Sequence, residues 1–162
     1  MNSPVGIHVI LLAIIVLVIQ IFIPVINING LAITPDILII FLTYIGYYYG
    51  RLEAIIMGFF LGLIQDFATQ FELIGIMAFI KSLLGYGLGT LALYSNIWHR
   101  NFRIVFILFI YLLHFYIYHY IQLNSTTISS LFFIKIILIQ SILCFSMLLI
   151  FDKSIMKNGV SR

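Results

Sequence analysis

Charge is what this sequence has least of. Eight Lys and Arg and five Asp and Glu are spread over 162 residues, so 8% of the chain is charged. Soluble domains carry about 25%. With 64% hydrophobic residues and a mean hydropathy of +1.22, the chain cannot cover a water-facing surface, and its solvent is lipid. Alternating polar and apolar residues, the mark of a membrane barrel, are missing as well. The apolar runs are apolar on all sides, so helices are the expected spanning element, because every backbone polar group must be paired inside the bilayer. The formal net charge of +3 sits mostly in loops and reports orientation; it does not point to nucleic acid.

Cysteine is nearly absent. Cys144 is single and lies in an apolar run, which excludes an intrachain disulfide and any Cys/His metal spacing. It reads as a small buried hydrophobe. The start, MNSPVGIH, has no Lys or Arg and no small-residue cleavage site follows the first apolar run, so the first helix is expected to be retained and not cleaved as a signal peptide. Nucleophile elbows, Gly-rich phosphate loops and paired carboxylates on one helix are also missing. No enzyme activity and no cofactor is expected. The spacing of His114 and His119 puts them about 140° apart on a helix, which does not suit two metal ligands on one face. His114 shares a stripe with Tyr111 and Tyr118, and an interhelical hydrogen-bond seam is the favoured reading.

What is present is a series of apolar segments. They predict an all-α membrane protein: one integral membrane domain over residues 1–162, with six transmembrane helices near 5–27, 36–50, 54–70, 73–94, 104–122 and 131–151. Pro24 stops the first helix. Pro35 and Asp36 open the second, the carboxylate favouring its N-terminal dipole. The second and third helices are short for a bilayer, which needs about 20 residues. Tyr47, Tyr48 and Tyr49 read as an interfacial aromatic belt. Loop Lys and Arg test the count. Arg51, then Arg100 and Arg103, then Lys153, Lys157 and Arg162 all fall on one side of a six-helix chain. The positive-inside rule makes that side cytoplasmic, with both termini inside.

The stretch from Gly46 to Gly89 stands out. It holds three small-xxx-small pairs, Gly46/Gly50, Gly58/Gly62 and Gly85/Gly89, each able to bring two helix backbones close. The same stretch holds Asp66 and Lys81, charges that a lipid-embedded chain normally avoids. Lys81 lies on the small-residue stripe of its helix with Ala78, Gly85, Gly89 and Ala92. A buried Asp66–Lys81 pair is expected, direct or through water, in preference to a proton or ion relay. Ser141 and Ser146 are expected to bond back to the i−4 carbonyls of their helix.

These pieces carry a resemblance. Pro35-Asp36, Gly50 and the turn after it, the pattern Gly58-Phe59-x-x-Gly62-Leu63-x-x-Asp66, Gly75, and Gly85-Tyr86 with Gly89 resemble the MreD family, bacterial rod shape-determining membrane proteins. The likeness covers roughly residues 30–95; Lys81 and the tyrosine run depart from the pattern. The resemblance implies a non-enzymatic scaffold of the cell-elongation machinery in the bacterial cytoplasmic (inner) membrane. It implies binding to the single-span protein MreC. Through it the scaffold would act on the MreB filament and on the peptidoglycan polymerase and transpeptidase. It also implies a fold similar to the substrate-binding subunits of energy-coupling-factor transporters. The rival from that side is a vitamin-uptake subunit with a polar cavity built from Asp66, Glu72, Tyr111 and His114. A membrane enzyme of lipid or wall metabolism is the second rival.

Overall fold

A computed structural model describes residues 6–28, 31–69, 74–94, 96–123 and 130–151. Its order is α1 (Ile7–Phe22), β1 (Ile26–Ile28), β2 (Leu31–Ile33), α2 (Ile37–Tyr48), α3 (Arg51–Thr69), α4 (Ile76–Tyr94), α5 (Arg100–Leu123) and α6 (Ser130–Phe151). The six expected helices are thus present among the described residues, with shifted ends. The expected tail, with Lys153, Lys157 and Arg162, and the link at Glu72 lie outside them.

Four helices, α3 to α6, are long and apolar enough to cross a membrane. The third helix begins three residues earlier than its apolar run suggests, because Arg51, Leu52 and Glu53 form its first turn. It therefore has 19 residues and is not short. The first is shorter than expected, 16 residues, and ends at Phe22. Pro24 has no N–H to donate to the helix, and the chain turns extended before it. The segment that follows, β1 and β2, is an antiparallel hairpin, with Ile26 opposite Ile33 and Ile28 opposite Leu31.

Helix α2 has only 12 residues, about 18 Å of rise. It needs no more, because protein surrounds it. Eight of the 12 residues are buried, on all sides of the helix, which marks a core helix and not a lipid-facing one. Leu38, Phe41 and Ile45 pack with Val9, Ala13 and Leu17 of α1 and with Ala54 and Leu61 of α3. Ile39 and Leu42 pack on the other side with α4, α5 and α6, through Leu88, Tyr111 and Cys144 among others. The surrounding helices turn large apolar side chains outward, such as Ile14 and Ile15 on α1 and Phe109 on α5. In lipid such an outer surface carries no penalty.

Helices α3 and α4 run antiparallel with almost no gap. A Cβ added at Gly58 would meet the backbone of Lys81 and Ser82; at Gly62, that of Met77 and Ala78; at Gly85, that of Ala54 and Ile55; at Gly89, Arg51. Each four-residue step up α3 meets a four-residue step down α4, so small residues fill the seam over about three turns. Gly46 of α2 faces Leu88 and Gly89 across a second close approach, where a Cβ would lie 2.9 Å from the Leu88 carbonyl carbon. Gly50 differs from its expected partner role beside Gly46. Its φ of 106° makes it the turn residue between α2 and α3, a backbone state that glycine adopts freely.

The end of the bundle opposite the hairpin is basic. Arg51 packs against Gly89 and stacks on Tyr86, its guanidinium carbon 4.7 Å from the ring centroid. Arg103 is buried and donates to the Tyr47 hydroxyl at 3.1 Å. Tyr47 therefore faces inward, away from the expected belt, while Tyr48 is more exposed.

Candidate functional site

The interior of this apolar bundle holds an unusual amount of polarity at the hairpin end. Asp36 is its centre. As the N-cap of α2, it accepts from the Leu38 N–H through Oδ1 at 3.1 Å. Its other oxygen, Oδ2, accepts from the Lys81 ammonium at 2.5 Å, and both side chains are buried. The carboxylate thus holds a helix terminus with one oxygen and a cation with the other.

Three more helices close on the same point. Gln20 of α1 donates from Nε2 to the Pro35 carbonyl at 3.1 Å, and its Oε1 accepts from the Ile37 N–H at 2.7 Å. That reciprocal clamp satisfies two backbone groups at the start of α2, where helix N–H groups lack intrahelical partners. Cys144 of α6 accepts from the Asp36 N–H at Sγ, 3.4 Å away. His114 of α5 places Nε2 3.8 Å from Asp36 Oδ2, too far for a hydrogen bond. Five helices therefore meet around Asp36 and its two chain neighbours. Two turns further along α2, the Thr43 hydroxyl donates to the Ile39 carbonyl and pairs with the Tyr111 hydroxyl at 2.7 Å.

This geometry corrects the expected Asp66–Lys81 pair. Lys81 pairs with Asp36, and Asp66 has another task. Its Oδ2 accepts from the Gly75 and Ala78 N–H groups at 2.9 and 3.2 Å, and Oδ1 from Met77 N–H at 3.2 Å. Asp66 is thus the N-terminal cap of α4, supplied from α3. The reason is legible in the chain: Leu73, Ile74, Gly75 and Ile76 offer no Ser, Thr, Asp or Asn to cap α4 locally. A carboxylate that accepts several backbone N–H bonds is held more firmly than a neutral cap. Asp66→Asn keeps the shape but replaces one acceptor oxygen with a donor. We expect it to cost about 1–3 kcal/mol in unfolding measurements in detergent, with hydrogen exchange at Met77 and Ala78 speeding up most. Unchanged exchange there would contradict the capping role.

Of the expected seam of Tyr111, His114 and Tyr118, Tyr111 bonds across helices, to Thr43 of α2, and His114 does not. His119, outside that stripe, pairs its Nε2 with Gln140 Oε1 of α6. Neither ring nitrogen of His114 has a hydrogen-bond partner among the described residues, nor does Gln65 Oε1 or His119 Nδ1. The serines lie back on their own helix, Ser141 on the expected i−4 carbonyl of Ile137 and Ser146 on the i−3 carbonyl of Leu143. No group of three His, Cys, Asp or Glu able to hold a metal occurs among the described residues.

These polar groups border a cavity of about 440 Å³ at the hairpin end, lined by Gln20, Thr34, Asp36, Gln65, His114, His119 and others. Asp66 and Tyr111 do not line it, so the cavity differs from the one that the vitamin-subunit rival requires.

The model of the family described as "rod shape-determining protein MreD" matches residues 3–157. The chain belongs to the MreD family. Comparisons with curated proteins and with solved structures gave no match. The match extends well past the Gly-rich centre, to α1, α5 and α6, where the sequence alone shows only hydrophobicity. With its long apolar helices, this MreD-family chain is an integral membrane protein that takes part in determining rod cell shape.

Proposed function

We propose that this chain is a non-enzymatic scaffold of the bacterial rod complex in the cytoplasmic membrane. In this reading both termini face the cytoplasm and the chain binds an MreC-type single-span protein. Through that partner it helps position the MreB filament and the peptidoglycan polymerase and transpeptidase. The family match over residues 3–157 is the observation that carries the reading. The form of the molecule agrees with it. The α3–α4 seam and the node at Asp36 make a stiff centre, and the apolar outer faces of the peripheral helices offer a surface for a membrane-embedded partner. The loop charges agree with the orientation: Arg51 and Arg103 lie at one end, away from the hairpin.

Co-expression with the MreC of the same cell, detergent extraction and size-exclusion chromatography test this. A stable complex is expected for the natural chain. If the natural chain elutes folded and alone from a membrane that contains MreC, the scaffold reading fails.

A further inference from the structure

We propose that the cavity at the hairpin end is a binding site for a small, uncharged molecule rich in hydroxyl or amide groups. Its volume of about 440 Å³ falls within the usual range for small-molecule sites. Both kinds of wall are present: Ile21, Ile23, Met77 and Phe115 on the apolar side, and side-chain amides, hydroxyls and imidazoles on the other.

The chemistry of the polar wall selects the ligand. Among the described lining residues Asp36 alone carries a fixed charge, and the Lys81 ammonium already neutralises it at 2.5 Å. A cation would have to compete with Lys81 for that carboxylate. An anion would find no free fixed cation among the described lining groups and would approach Asp36. An uncharged ligand meets neither obstacle. The hydrogen-bonding atoms that lack partners point the same way. Gln65 Oε1 is an acceptor, and Gln65 is 7% exposed. His114, 1% exposed, and His119, 5% exposed, bring ring nitrogens that donate or accept according to tautomer. These buried groups converge from α3 and α5 on one space. A ligand that both donates and accepts, as hydroxyls and primary amides do, satisfies them together.

The site is independent of the scaffold reading: among the described lining residues it meets the α3–α4 seam only at Met77, and its occupancy is read without a partner protein. Its test uses the full chain in lipid nanodiscs and matched probes. Glucose is set against glucosamine and glucuronate, and benzamide against benzoate, with thermal unfolding and mass spectrometry of bound small molecules as readouts. The expected result is a saturable rise in Tm with glucose or benzamide, or a co-purified neutral hydroxyl or amide compound. The charged counterparts should give at least tenfold weaker binding. Gln65→Leu keeps the volume, removes the free acceptor and should weaken binding at least tenfold while the chain still unfolds cooperatively. His114→Phe, which removes both ring nitrogens, should do the same. Two results overturn the proposal. One is the lack of both a co-purified molecule and a saturable shift with glucose or benzamide, which leaves a hydrated structural cavity. The other is equal binding by charged and uncharged probes or by the Gln65→Leu chain. Capture of MreC is read separately, so a failed cavity and a failed scaffold give different results.

Discussion

Lys81→Met is expected to destabilise the folded bundle by about 3–5 kcal/mol, the usual effect of leaving one member of a buried ion pair without its partner. The stranded group is Asp36, which lies 5% exposed among five helices. Asp36→Asn should be nearly as damaging, since it strands the ammonium and weakens the cap of α2 as well. The informative variant is the double one. Asp36→Asn with Lys81→Met removes both charges and leaves a neutral side chain at the Leu38 N–H. It should recover about 1–3 kcal/mol relative to the sum of the single losses. Asp66→Asn with Lys81→Met removes two supports that share no hydrogen bond, and their coupling should be clearly smaller than that of Asp36 with Lys81. Reversible unfolding in mixed micelles, followed by circular dichroism, measures all of these. A larger coupling for Asp66 than for Asp36 would assign the ammonium to the wrong carboxylate.

The second large effect concerns the seam between α3 and α4. Gly58→Leu should prevent assembly of the bundle, read as loss of a monodisperse peak after extraction. Even the first carbon of the new side chain would lie 2.8 Å from the Lys81 carbonyl carbon. Carbon atoms in contact prefer about 3.5–4.0 Å, so α3 would have to retreat by about 1 Å along its length. Overpacking against a yielding side chain costs about 1–3 kcal/mol; here the obstacle is backbone, and the loss should reach or exceed the upper figure. Gly62→Ala tests the same seam one turn away, where the new Cβ would lie 2.5 Å from the Met77 carbonyl oxygen. Gly6→Ala is the control, with open space around its Cβ. It should leave elution and stability unchanged. A Gly58→Leu chain that elutes like the natural one would mean that the seam is looser than described.

Much of this was readable before any coordinates. Composition determined the solvent and hydropathy the number of helices. The four-residue spacing of glycines placed the close approach, because only small residues at that period let backbones meet. Asp66 and Lys81 were legible as buried charges, but not their partners. They lie 15 residues apart on consecutive helices, and nearness in sequence made the pair attractive. Lys81 and Asp36 are 45 residues apart, and the apolar stretch between them carries no sign that α2 and α4 are neighbours. Two local signals were present and pointed the right way. One is the lack of a capping residue before α4, which calls for an acceptor from elsewhere. The other is Asn29-Gly30 between apolar residues, a strong short-range hairpin signal, at the connection of β1 and β2. The cavity had no sequence signature, since Gln20, Gln65 and His114 come from three helices and meet only in the fold.

The pairing across 45 residues also bears on how the chain is made. Asp36 is synthesised well before Lys81, and until then its carboxylate has no ammonium to neutralise it. Helix α2, 12 residues long and charged at one end, is a poor substrate for entry into lipid by itself. Its neighbours α3 and α4 are each 19 residues long, and α4 carries the missing cation. The pairing therefore predicts that the second helix enters lipid stably only together with the fourth, which would make the innermost helix of the bundle a late arrival in the bilayer, although it is among the first to leave the ribosome.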